Sequence, residues 1–440
     1  MADHAGQGQS RIRLVPPSRH DTGSDLPAKM IRETRRTLRL PDSGPIVATG
    51  HAPVNWHPGI LAKFMAMRAV ARDTEATPVV LTIDTVAATP GRIEVPWVDP
   101  DGLPCSSTIQ LFETIPDRPL GMQPATDPAD LDWPEGLMGS QQEALQRYIT
   151  ALQATGGDVA LATQVMRALM DLSRRWIGRP TVVSASRLLQ TSCGRWLMER
   201  MQRDARRCVE AYNAAVSVDP DAGIPLLDAD AGELPLWDVR GDGRRTARRQ
   251  DLDDASLLPK ALVITAILRL AGCDLFIHGT GGARYDALME GWIRQWLGLE
   301  VAPFMVVTAD MQLPLPDVEA IARVGQELVA CGRRAYHDPE SVDEAAEPVP
   351  APGPRKRAAL STIESAPRGS DARREAYASM HETLATMRSK PADVPGRIAD
   401  RVREARRTAG RRDWDFIFYP EDVLDTLDEE VDTVVSDAVR

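Results

Sequence analysis

Apolar and polar positions follow two different rhythms along this chain, and the change of rhythm divides it. "GPIVATG" (44–50) is a short apolar run closed by glycine, which predicts a buried strand. After a polar loop, Pro58 suits the first turn of a helix. Ile60, Leu61, Phe64, Met65 and Met67 then recur at helical spacing. "TPVVLTIDT" (77–85) is β-branched and uninterrupted, as expected of a strand covered on both faces. The same succession returns at 258. "LPKALVITAILRLAG" predicts a helix stopped at Gly272, "CDLFIH" a strand, "GTGGAR" a glycine loop, "YDALMEGWIRQWLG" a helix and "PFMVVTA" a strand.

The stretch between these units has the helical period over most of its length. "SQQEALQRYITALQAT", "DVALATQVMRALMDLSRRW" and the run from "SASRLLQTS" to "EAYNAAV" read as helices, and "RGDGR" reads as a hairpin turn. The expected organisation is a polar, disordered tail (1–28), a first Rossmann-like half (29–117) entered by a short basic helix, and a mainly helical insertion (118–257). A second half (258–340), a Pro- and Ala-rich linker (341–371) and a C-terminal helical region (372–440) follow. In that last region two coiled-coil-like helices, expected as an antiparallel pair, precede an acidic final helix. The expected fold class is α/β: a Rossmann-like parallel sheet core built from two βαβ halves.

Composition narrows the functional classes. The 440 residues are 43% hydrophobic and 26% charged, an ordinary globular balance. A formal net charge of -11 argues against general affinity for nucleic acid backbones. The longest apolar run, "ALVITAIL", is too short for a bilayer, and the polar N-terminus has no secretory pattern. The five cysteines lack CxxC spacing, which fits a reducing cytoplasm and no zinc site. A small-molecule substrate is the expected partner, without nucleic acid or membrane, and the C-terminal helices offer a surface for a homodimer.

Two strand-end loops carry the candidate chemistry. "ATGHAPVNWHPGI" (48–60) supplies Thr49, Gly50, His51, Asn55, His57 and Gly59, with Lys63 one turn further on. "FIHGTGGARYD" (276–286) supplies His278, Gly279, Gly281, Gly282, Arg284, Tyr285 and Asp286. Glycines after a strand let the backbone approach a phosphate or carboxylate, and the next helix offers unpaired N–H groups. The spacing is not GxGxxG. His51, His57 and His278 are the proton-transfer candidates, and Lys63 and Arg284 would stabilise negative charge. Asp84, at the end of the second strand, would meet a ribose hydroxyl or a metal, or simply cap a turn. A lone loop histidine is usually solvated or bonded to backbone; three at the ends of one sheet's strands make a ligand site an equal alternative to that reading. No carboxylate or second histidine stands at metal-ligand spacing, so no metal is assigned.

These pieces together resemble the cysteine ligases of bacillithiol biosynthesis. The resemblance rests on "TGHAP…HPG…K", "PVVLTID" and "LPKALVITAIL…DLFIHGTGGARYD", and spans about 45 to 310. Thr49, Gly50 and Lys63 match the first family motif, where His51 and Ala52 replace two glutamines. Gly279, Gly281 and Tyr285 match the later one, where Gly282 replaces a glutamate, and only Asp84 remains of an acidic cluster. The resemblance implies a Rossmann-like core with insertions and a coiled coil, and a ligase that joins cysteine to an amino sugar conjugate. "HPGI" (57–60) also resembles the HxGH element of nucleotidylyltransferases, with Ile60 in the fourth place. Three functional readings stay open: a ligase-like enzyme binding a small anionic or nucleotide ligand such as ATP, an ATP-using nucleotidylyltransferase-like enzyme, and a non-catalytic scaffold on a degenerate ligase fold.

Overall fold

The computed structural model describes residues 11–15, 26–128, 137, 139–157, 159–241, 243–252, 256–337, 354–387 and 394–439. The strands are β1 (Arg11–Val15), β2 (Ile46–His51), β3 (Thr77–Thr82), β4 (Arg92–Val98), β5 (Pro104–Gln110) and β6 (Thr181–Ser184). They continue with β7 (Glu233–Asp238), β8 (Arg245–Arg248), β9 (Leu257–Pro259), β10 (Leu275–His278) and β11 (Phe304–Asp310). The helices are α1 (Ala28–Thr37), α2 (Pro58–Thr74), α3 (Gly139–Gln153), α4 (Leu161–Leu172), α5 (Arg174–Ile177), α6 (Ser192–Arg203) and α7 (Ala205–Val216). After them come α8 (Ala261–Ile267), α9 (Thr280–Leu297), α10 (Val318–His337), α11 (Pro354–Ser365), α12 (Asp371–Met387), α13 (Val394–Gly410) and α14 (Glu421–Val439).

A six-stranded sheet runs β1-β11-β10-β2-β3-β6, and every pairing in it is parallel except that of β1 with β11. Renumbered in chain order, the parallel strands read 3-2-1-4-5 across the sheet, the doubly wound Rossmann order. The fold class is therefore α/β with a Rossmann-like core. Ala48, Val79, Leu81, Val183 and Phe276 point into a core shared with α1, α6, α7, α8 and α9. On the other side α2 crosses β2, β3, β10 and β11, and α14 packs along α2. Near-continuous burial along β2 and β3 follows from helices on both faces.

The structure departs from the sequence reading in several places. Residues 11–15, expected within a disordered tail, form the antiparallel edge strand β1; "RIRLV" alternates charge and apolar side chains, a pattern the flanking polar residues hide. The insertion is not only helical, because β6 joins the central sheet beside β3. Only four residues long, β6 is followed at once by a 3-10 turn, Ala185–Gln190, so a helix pattern swallows it. β7 pairs antiparallel with β8 and β9 in a small sheet, which brings together the strands flanking "RGDGR"; Asp242 of that turn lies outside the described residues. Residues 354–365, expected as linker, are α11.

The chain forms two compact units. One comprises residues 1–95, 107–314 and 411–440; the other comprises 96–106 and 315–410. In the second unit α10 packs on α13, and α11 on α12, so α12 and α13 each have another partner. Leu103, Ile321 and Ala405 form its small core, and Arg401 bridges Asp99 and Asp101. The final helix belongs to the first unit, where Arg68 and Arg72 of α2 pair with Asp428 and Asp432 of α14. No described helix is long and apolar enough to cross a membrane.

Candidate functional site at the switch point of the sheet

β2 and β10 lie side by side in parallel, with Thr49 level with Ile277. From β2 the chain turns to α2 on one face; from β10 it turns to α9 on the other. In a doubly wound sheet the crevice between two such strands, at their carboxyl ends, is where ligands bind. The two loops singled out from the sequence are the two that border it.

Lys63 is the central charge of this edge. It is 5% exposed, and its Nζ donates to the carbonyl of Gly50 and faces His51 Nδ1 at 3.4 Å. Burial brings its pKa down from 10.5 to about 7. His51 is held well below its ordinary value by burial, then by the charges of Lys63 and His57, so its ring is neutral near pH 7. With Nδ1 turned to an ammonium that can only donate, the ring proton of neutral His51 sits on Nε2.

His57 reaches the same tautomer by another route. It is the N-cap of α2, and its Nδ1 accepts the N–H of Gly59 at 3.1 Å. Burial lowers its pKa, and Lys63 adds to the lowering against the pull of Asp413 and Asp310. Two imidazoles with Nε2–H donors and one buried lysine thus stand at the N-terminal end of α2 and the end of β2. This set suits negative charge better than proton abstraction.

The remaining sequence candidates divide into ligand-facing and structural positions. Gly279 is the N-cap of α9, and neither it nor Gly281 has any atom within 4 Å of where a Cβ would stand. The expected glycine loop is thus the first turn of α9, open at both positions. Gly282 has a packing role: a Cβ there would lie 2.5 Å from His278 Nδ1. Gly50 and Gly59 are likewise needed for close approach, to Leu81 and to the Ala309 carbonyl. Thr49 Oγ1 donates to the Ile277 carbonyl at 2.8 Å and laces β2 to β10. Asn55 Nδ2 donates to the carbonyl of Arg92 at 3.3 Å, while its Oδ1 is buried without a partner.

Four candidates are committed elsewhere. His278 is buried, and its Nε2 meets Asp286 at 2.6 Å. Asp286 is fully buried and also takes the Arg269 guanidinium at 2.7 Å. Burial pushes the Asp286 carboxyl up, but His278 and Arg269 outweigh it and leave it below its ordinary value. This buried triad fastens β10 to α9 and is not a proton relay open to a ligand. Arg284 projects from α9 into a two-bond exposed pair with Asp219. Asp84 is buried and accepts from Ser186 N at 2.9 Å and Ser186 Oγ at 2.5 Å, so both oxygens tie β3 to the turn after β6. Tyr285 is 39% exposed on the outer side of α9's first turns. Among the described residues no three His, Cys, Asp or Glu side chains gather as metal ligands.

Sequence reasoning passed over Lys260 and Arg244, which the structure sets on the ring of Trp237 beside the end of β3. Both lie in stretches read for other features, Arg244 in the "RGDGR" turn and Lys260 in "LPKALVITAIL"; the signal was a Trp in a strand pattern with basic residues around it.

No protein-family model matches the chain, and no curated protein matches it. Among solved structures the chain is similar to the tryptophanyl-tRNA synthetase of Plasmodium falciparum, at 8% identity and a TM-score of 0.26, over 90% of this chain and 81% of that one. At that level of likeness it is the strand order 3-2-1-4-5 that assigns this chain to the doubly wound α/β class.

Proposed function

We propose that the chain is a ligase-like enzyme that binds a small anionic or nucleotide ligand in the crevice between β2 and β10. The observation that carries the reading is the cluster of Lys63, His51 and His57 at the sheet's switch point. Bond formation at an acyl or phosphoryl centre builds negative charge on oxygen, and preorganised donors in a dry site stabilise it. Lys63 supplies the cation, and His51 and His57 supply neutral Nε2–H donors. The open first turn of α9 faces the crevice from the other strand and adds backbone N–H groups. His278 and Asp286 act by fixing α9 on β10. The ligase assignment in particular rests on the motif resemblance to bacillithiol-pathway cysteine ligases.

A thermal-shift and calorimetric panel of thiols, amino acids and nucleotides, with and without Mg²⁺, tests the reading. At least one compound is expected to bind, and Lys63→Met and His51→Ala should each weaken it tenfold or more. Full binding by both folded variants overturns the site. A shift with ATP and Mg²⁺ alone would instead favour nucleotidylyl transfer through the "HPGI" turn.

A further inference from the structure

The small sheet β7–β9 carries four cations near its hairpin: Arg240, Arg244, Arg245 and Lys260. Two are neutralised. Arg240 and Arg245 each bridge both Asp238 and Asp251. The other two have no ion pair among the described residues. Arg244 Nη1 donates to the carbonyl of Thr85 at 3.2 Å, and Lys260 Nζ donates to Thr246 Oγ1 at 2.7 Å.

Both of these cations sit on one aromatic ring. The Arg244 guanidinium carbon is 4.6 Å from the Trp237 ring centre, and Lys260 Nζ is 4.2 Å from it. Cation–π attraction holds them there, yet it satisfies none of their remaining N–H donors. Lys260 is only 8% exposed, and Arg244 is half-buried. Two like charges on one ring, with little water around them, cost free energy unless something negative offsets them, and the carboxylates that pull on them, Asp117 on Arg244 and Glu233 on Lys260, form no ion pair with either among the described residues. Burial brings the pKa of Lys260 down to about 8 against the pull of Glu233, and Arg244 adds a smaller lowering.

The position adds a second argument. Thr85, the anchor of Arg244, lies just past the carboxyl end of β3, the same edge as the switch point. Ile83 N donates to the carbonyl of His51 at 3.0 Å, and Ile83 and Thr85 are at most about 7 Å of chain apart. β9 packs on the turn Ala185–Gln190 beyond β6, which fixes the small sheet over this edge.

We propose that Arg244 and Lys260, set on Trp237 at the carboxyl end of β3, form an anion site that takes a phosphoryl group. A guanidinium offers a fork of parallel donors and an ammonium a point charge, a pair suited to a tetrahedral oxyanion. The site does not depend on the Lys63 cluster and goes beyond the ligand crevice proposed above.

Inorganic phosphate, titrated into the full chain and followed by calorimetry and tryptophan fluorescence, tests it. Saturable binding is expected, with a fluorescence change that Trp237→Phe removes. Arg244→Gln and Lys260→Gln should each weaken this phase tenfold or more, whereas Arg206→Gln, an exposed charge change on α7, should leave it within twofold. Arg244→Lys and Lys260→Arg should retain part of the affinity, which keeps the test valid if a neutral variant fails to fold. Absence of saturable binding, or unchanged affinity in folded Arg244→Gln and Lys260→Gln, overturns the proposal. Lys63→Met separates the two sites: it should spare the Trp237-reported phase, and a loss there as large as in Arg244→Gln would overturn the assignment to Arg244 and Lys260. Displacement of phosphate by AMP identifies a nucleotide source and displacement by a sugar phosphate alone a sugar ester; either supports the site.

Discussion

Lys63 sets the pH behaviour of the switch-point site. Its pKa falls from 10.5 in an unfolded chain to about 7 in the folded one, because burial penalises the ammonium. The charged form therefore prevails only below about 7. Affinity for an anionic ligand should be fullest there and decline as pH rises through that value, as calorimetry across pH would show. Stability carries the opposite sign. The unfolded chain binds more protons between about 7 and 10.5, so the contribution of Lys63 to stability rises with pH across that window. Lys63→Met should flatten both trends. His278, at the end of the neighbouring strand β10, makes a contrasting case. Its ring fits only because Gly282 has no side chain. Gly282→Ala should therefore destabilise by about 1–3 kcal/mol, the usual cost of overpacking, measured by urea denaturation. At a solvent-facing glycine the same change would stabilise an α-helix, so the sign of the effect decides between packing and ligand roles. From the sequence His278 and His51 looked equivalent. What separates them is the carboxylate eight residues on, whose reach back to the ring becomes visible only once α9 is laid on β10.

The elements of the core were legible because their signals are strong and local. β2, α2, β3, β10, α9 and β11 each fill a whole strand or helix with the right period, and Pro58 and Gly298 mark helix ends where the structure has them. β1 and β6 escaped because five and four residues give period-two alternation little room to show. Partnership between elements escaped for a different reason. Charge placement pairs α14 with α2: Arg68 and Arg72 are one turn apart, as are Asp428 and Asp432. Sequence shows only a basic stretch and an acidic one, with more than 350 residues between them. The apolar face of α14 should dominate this contact. Leu427, fully buried there, should cost about 2–5 kcal/mol when changed to alanine. Asp432→Asn, at a partly exposed ion pair, should cost about 1 kcal/mol or less. Denaturant melts of the two variants check the ranking.

At the scale of the whole molecule, the C-terminal segment is the part most easily misread. A cut after Gly410 looks harmless if residues 372–440 are a helical appendage. Yet residues 411–440 return to the sheet-bearing unit, where Trp414, Phe416, Leu427 and Val431 are buried. Trp56 marks the junction: it stacks on Phe64 at 4.3 Å, and its carbonyl accepts the N–H of Phe416. A chain ending at Gly410 should lose its cooperative thermal transition or melt well below the full chain; an unchanged transition would contradict this packing. A scaffold role for the C-terminal helices has to be tested by internal deletion within 315–410 instead. The order of strands has a temporal side as well. β2 hydrogen-bonds to β10, whose residues follow it by 228 positions. Loops of that length close slowly, and contacts of such high separation delay folding. During synthesis from the N-terminus, β2 and β3 emerge long before the strand that completes their edge. The nascent chain thus holds an unpaired apolar strand through the making of half the protein, the condition under which chaperones engage and aggregation begins. The same junction that forms the ligand crevice in the finished molecule is a seam that must wait for half the chain to be made.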